Sequence, residues 1–99
     1  MPFGNFVNEL PPAVFLIIHL GLFAAGAYMA WKSFPTSQGL GRGFALFAAA
    51  EVVYMTYHLD WTVFLFAHTI SEVLTLLAFV LIFTSLTRSA VTATAGTRR

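Results

Sequence analysis

The chain has 99 residues, no cysteine, 59% hydrophobic and 9% charged residues, and a formal net charge of +1. Soluble domains carry roughly a quarter charged residues, and a chain this small has too little interior to bury so much apolar surface, so the composition argues for lipid as the solvent. Without cysteine there is no disulfide, thiolate metal site or iron–sulfur cluster, and any metal would rest on His, Glu, Asp or backbone oxygen.

Residues 1–9 contain no Lys or Arg, unlike the basic start of a secretory leader, and the apolar run from Leu10 to Trp31 is longer than a leader's apolar core. Pro11 and Pro12 suit a helix start, where a missing backbone N–H is harmless. A first helix is predicted at about 12–31, roughly 30 Å long and sufficient to cross a hydrocarbon core. It ends at Trp31-Lys32, an indole followed by a cation, as expected at a membrane interface. Residues 33–43 are rich in Pro, Gly, Ser and Thr and read as a loop. A second helix, short for a span, is predicted at about 43–59. Asp60 breaks the apolar run and has the side chain to N-cap a third helix from Trp61 to about Thr87. The small, polar and basic end of the chain reads as a flexible tail over 91–99. The expected fold is all-α: one domain, residues 1–90, forming an integral membrane three-helix bundle.

Lys32, Arg42, Arg88, Arg98 and Arg99 all fall in the first loop or the tail. The N-terminal segment and the turn at Asp60 carry none, so the positive-inside rule places the N-terminus outside and the C-terminus in the cytoplasm. The implied location is the cell (inner) membrane, crossed several times.

Two carboxylates and two histidines lie within the second and third helices. Helical spacing puts Glu51, Tyr54 and His58 on one stripe and His68, Ser71, Glu72 and Thr75 on another. His19 stands on the first helix, with Gly26 and Ala30 continuing its face and permitting close approach of a neighbour. Reflecting positions through the turns brings His19, Glu51, His68 and Glu72 to one depth across the three helices. His58 and Asp60 fall near the outer surface as an interfacial pair. An ionised carboxylate at mid-bilayer costs roughly 2.5–3.5 kcal/mol on insertion scales and therefore needs partners.

Four readings compete. The polar groups act as hydrogen-bonded glue between helices or subunits, each bond contributing about 0.6–2 kcal/mol. Alternatively they hold a haem or a His/carboxylate-bound transition metal; the candidate metal ligands are His19, Glu51, His68 and Glu72, and the candidate cofactor contacts are His19, His68 and Tyr54. In this second case the order His68-x-x-x-Glu72 departs from the Glu-x-x-His spacing of carboxylate-bridged di-metal bundles. A third reading is proton or quinone chemistry, since a low-dielectric site disfavours both carboxylate and imidazolium and lets one proton pass between them; Phe15, Phe23, Phe64 and Phe66 are available to flank a ring. The fourth is a transport or sensing module assembled from several copies, with Gly43 and Ala48-Ala49-Ala50 packing between protomers. No phosphate-binding loop, nucleophile constellation or nucleic-acid-binding patch is present.

These observations predict a small integral membrane subunit of a larger, redox or respiratory-type complex, accessory rather than catalytic, whose His/Glu cluster contacts a cofactor or a partner subunit. The alternative is a homo-oligomeric proton-linked transport or sensing module using the same cluster. Expected partners are the bilayer and other membrane subunits or further copies of the chain, with no nucleic acid. In outline the plan is similar to small accessory subunits of bacterial and archaeal respiratory or oxygenase complexes, a likeness of architecture with no residue motif behind it.

Overall fold

The computed structural model describes residues 3–97 and is all-helical among them: a 3₁₀ segment (Asn5–Glu9), then α1 (Pro12–Ser33), α2 (Gln38–His58) and α3 (Phe64–Thr97). Pro12 opens α1 as the sequence predicts. At 22 residues, α1 is about 33 Å long. Two helices are long and apolar enough to cross a membrane, α1 and the Phe64–Thr92 part of α3.

The helix boundaries differ from expectation at three places, each for a local reason. α2 begins at Gln38, not near Gly43, because Ser37 is its N-cap and the Ser37 hydroxyl accepts from the Leu40 N–H at 3.3 Å. Pro35 lies in the turn between α1 and α2, and the loop is correspondingly short. With 21 residues, α2 reaches about 31 Å, but it is not one of the two helices that are both long and apolar enough to cross a membrane.

Asp60 closes α2 and does not cap α3. Its φ is +64°, and the Asp60 N–H donates to the Tyr57 carbonyl at 3.0 Å while the Trp61 N–H donates to the Thr56 carbonyl at 2.9 Å. That pair of bonds is a Schellman closure, with Asp60 in the left-handed position that glycine usually fills. Residues 61–63 then form the bend before α3 starts at Phe64, and the Thr56 and Thr62 hydroxyls, 3.0 Å apart, tie the two sides of the turn together. At its other end α3 continues to Thr97, through residues expected to lie in a tail. Nothing in its last turns, which lack proline, interrupts the helical hydrogen bonds. Arg98 and Arg99 lie outside the described residues.

The helices form an open row instead of a closed bundle. α2 packs on α1 along one side and on α3 along the other, while no Cα of α1 comes within 8 Å of one of α3 among the described residues. Each interface is made of small residues. On α1, Gly26 and Ala30 are buried; on α2, Gly41, Gly43, Ala48 and Ala50; on α3, Ala67, Ser71 and Ala78. A Cβ at Gly26 would sit 2.9 Å from the Phe47 ring and 3.3 Å from the Ala48 Cβ, and one at Gly43 would lie 2.6 Å from Ile82 Cγ1 and 3.1 Å from the Ala78 carbonyl. Gly43, Ala48 and Ala50, candidates for packing between protomers, are thus used inside the chain. The large apolar side chains point outward: Leu65 is 72% exposed and Phe83 69%.

Ser71 adds the one buried polar link between α2 and α3 among the described side chains, donating to the Ala50 carbonyl at 3.0 Å. Satisfying that hydroxyl matters because a buried unpaired donor costs about 1–3 kcal/mol.

This packing fixes the sign of glycine substitutions. At Gly21 a Cβ would meet nothing within 4 Å, so Gly21→Ala is expected to raise stability by about 1 kcal/mol through helix propensity. Gly43→Ala is expected to lower it by about 1–3 kcal/mol through overpacking against α3. Reversible unfolding of both variants in detergent micelles, followed by circular dichroism, checks the opposite signs.

Candidate functional site

The polar residues gather on one face of the row, toward the end that carries the Asp60 turn. Glu51 is buried at the α1–α2 interface, and its Oε2 lies 2.5 Å from His19 Nδ1. One α2 turn further on, Tyr54 reaches toward α3: its hydroxyl donates to Glu72 Oε1 at 3.0 Å and lies 3.3 Å from His68 Nδ1. The Tyr54 ring also stacks on His19, with centroids 5.0 Å apart and planes 16° from parallel. Tyr54 therefore joins the α1 pair to the α3 pair.

Of the four residues predicted at one depth, His19 and Glu51 are hydrogen-bonded to one another, whereas His68 and Glu72 each contact the Tyr54 hydroxyl and not one another, so the four are not arranged around one point. Among the described residues no group of three or more His, Asp or Glu side chains is arranged to hold a metal ion. The geometry of this chain therefore does not supply the proposed four-ligand set His19, Glu51, His68 and Glu72.

His58, expected at the surface with Asp60, belongs to the cluster instead. Its ring stacks on Phe15 at 5.0 Å and on His19 at 5.1 Å. On the α3 side, Phe64 stacks on His68 at 5.2 Å. The result is a column of rings across the row, with Phe15 and Phe64 at its ends and Phe23 and Phe66 taking no part in it. Beyond His58, a pocket of about 340 Å³ is bordered by Asn8, Phe15, Tyr57, His58 and Asp60. Helical spacing places His58 on the Glu51–Tyr54 stripe, one turn from Tyr54, and only its depth set it apart. Ser71, read as part of the α3 polar stripe, turns instead into the α2–α3 interface.

The hydrogen bonds assign the histidine tautomers. Tyr54 has one hydroxyl proton, and Glu72 receives it. With an ionised Glu72 as acceptor, the contact with His68 runs from an Nδ1–H to the phenolic oxygen. At His19, the Glu51 carboxylate accepts from Nδ1–H in the same manner. In a neutral ring with this tautomer Nε2 is an acceptor, whereas a protonated ring carries a second N–H there. The His19 side chain is 17% exposed and His68 is exposed, and neither Nε2 is hydrogen-bonded among the described residues.

No protein-family model matches the chain, and no curated protein or solved structure matches it either.

The bridging role of Tyr54 has a spectroscopic consequence. In ¹⁵N spectra of the selectively labelled protein, the neutral forms of His19 and His68 are both expected as Nδ1–H tautomers. Tyr54→Phe should release His68 into a tautomer mixture and leave His19 bound to Glu51. An Nε2–H form for His68 in the unsubstituted protein would contradict the assignment.

Proposed function

We propose that the chain is a small integral membrane subunit of a larger, redox-type complex, crossing the membrane three times with its N-terminus outside and its C-terminus in the cytoplasm, and contacting a cofactor or a partner subunit through the His/Glu/Tyr face. The observation that carries this reading is that the polar face lies open on a row of helices whose surface is otherwise apolar.

Several features support insertion. The interior residues are small and the exterior ones large and apolar, the arrangement of helices that associate by close backbone approach in lipid. The least apolar helix, α2, is the one shielded on both sides. Lys32 lies 4.8 Å from the Trp31 ring centroid and 5.8 Å from that of Tyr28, an aromatic and cationic group suited to one interface, while Trp61 stands exposed at the opposite end. The cations Lys32, Arg42 and Arg88 all belong to the Trp31 end, and by the positive-inside rule this supports a cytoplasmic placement of that end.

The open face is what makes a subunit of this chain. Glu72 and His68 are exposed, and Glu72 is displaced from the start of α3 by about 12 Å along the helix axis. Left against hydrocarbon there, an ionised carboxylate costs roughly 2.5–3.5 kcal/mol. A three-helix row cannot cover its own face, so the covering surface comes from another component.

Two measurements test the proposal. Reporter fusions are expected to read outside at the N-terminus and cytoplasmic at the C-terminus, and the reverse would defeat the topology. Extracted from its native membrane in mild detergent, the chain should migrate by native mass spectrometry with other polypeptides in fixed stoichiometry. An assembly made of this chain alone would replace the subunit reading with the self-assembled proton-linked module.

A further inference from the structure

On the side of the row opposite the His/Glu/Tyr face, α1 and α2 form an open groove of about 690 Å³, lined by apolar residues alone. Phe23, Ala27 and Trp31 border it on α1, and Ala45, Ala49 and Val52 on α2. Helical spacing explains the space: α2 presents alanines on this side, while Phe44, Phe47 and Tyr54 fall on the other. A second cleft, between α2 and α3, shares Phe34 and Ala45 with the first and is completed by Arg42, Leu46 and Leu81. The two clefts therefore meet beside Arg42, at the Trp31 end of the helices.

Charge at that end is of one sign. Arg42 lines the second cleft, Lys32 lies over the Trp31 ring, and Arg88 shares the stripe of Leu81 two turns further along α3. Lys32 and Arg42 also share a level, because Gly41 faces the Phe34 ring. The acidic residues Glu9, Glu51, Asp60 and Glu72 all lie nearer the other end, and no carboxylate among the described residues pairs with Lys32, Arg42 or Arg88. Arg42 makes one long contact with Gln38 Oε1, at 3.4 Å, and a guanidinium has five N–H donors.

These features together restrict the occupant. A small inorganic anion would answer the cations and leave the apolar groove bare. A second copy, which shares the membrane orientation of the first, would bring Arg42 against Arg42 if it docked through this face. The groove itself has the length of one leaflet: from Arg42 to Val53 the distance along α2 is about 16 Å, against half of a hydrocarbon core of about 30 Å. A negative head with hydrocarbon chains fits cations and clefts at once.

We propose that this face binds an anionic phospholipid, its phosphate on the Arg42 guanidinium and its two acyl chains in the clefts that meet at Ala45. A guanidinium suits the phosphate because it offers paired N–H donors to two oxygens, and anionic lipids populate the cytoplasmic leaflet. The assignment rests on the membrane reading above and gives a ligand to the face which that reading leaves unassigned.

Native mass spectrometry tests this on the full chain, released from nanodiscs that contain equal amounts of phosphatidylglycerol and phosphatidylcholine with identical acyl chains. Expected is one retained lipid per chain, with phosphatidylglycerol favoured roughly tenfold, the scale of one charge-assisted hydrogen bond. Arg42→Gln is expected to remove most of that preference. Ala45→Trp, which fills the junction of the clefts and leaves every charge in place, should abolish retention of either lipid; circular dichroism establishes that each variant is folded. Glycerol phosphate, which has the head without the chains, should not displace the lipid. Equal retention of the two lipids, accumulation of phosphatidylglycerol without saturation, displacement by glycerol phosphate, or folded variants that retain lipid like the unsubstituted chain would overturn the proposal. So would a partner polypeptide, in place of lipid, photo-crosslinked at Ala45 in the native membrane. A chain that assembles with partner polypeptides yet shows no lipid preference loses the lipid assignment alone, whereas one that does not insert into nanodiscs loses the membrane reading and this one with it.

Discussion

The middle helix must meet two neighbours and still present a third surface, and this constraint governs the whole structure. α2 approaches α1 through Gly41 and Ala48 and α3 through Gly43 and Ala50, so its two packing faces are reduced to residues that carry almost no side chain. What remains is the half-buried stripe of Phe44, Phe47, Tyr54 and His58, with Glu51 beside it buried against α1. Backbone proximity and the polar site are therefore consequences of one arrangement. A larger residue at Gly43 would push α3 away and carry His68 and Glu72 out of reach of Tyr54.

Such packing suits an apolar solvent better than water. Between helices in lipid there is no hydrophobic difference to exploit, and association depends on close contact and on interhelical hydrogen bonds. The contacts at Gly26 and Gly43 supply the first, and Ser71 to the Ala50 carbonyl, Glu51 to His19 and Tyr54 to Glu72 supply the second. The same interfaces in water would bury little apolar area, since the residues that could contribute it, such as Leu65 and Phe83, lie on the outside.

Much of this was legible in the sequence, and what was not has physical causes. The helical class, the helix from Pro12 and the shared depth of His19, Glu51, His68 and Glu72 follow from apolar run length and the rise per residue. The start of α2 was hidden because Gly39, Gly41 and Gly43 read as loop residues, although here they accommodate Ser85, Phe34 and Ile82 at close quarters. The role of Asp60 was ambiguous in principle: a short acidic side chain favours an N-cap, and it also tolerates the left-handed conformation that closes α2. The open row could not be read at all, since periodicity gives the faces of each helix but not whether the first and third helices meet. For the same reason Tyr54 appeared as one member of a stripe, and only the structure makes it the link between the two pairs.

Division of the cluster into two pairs changes the chemistry it can perform. Four ligands converging on a point would favour a bound cation, whereas here each carboxylate meets a donor on a neighbouring helix, Glu51 at His19 and Glu72 at Tyr54. The carboxylates are consumed in orientation: Glu51 holds the His19 ring directly, and Glu72 acts on His68 through the single proton of Tyr54. Tyr54, which touches His19, His68 and Glu72, ties the α1 and α3 sides of the strip into one arrangement.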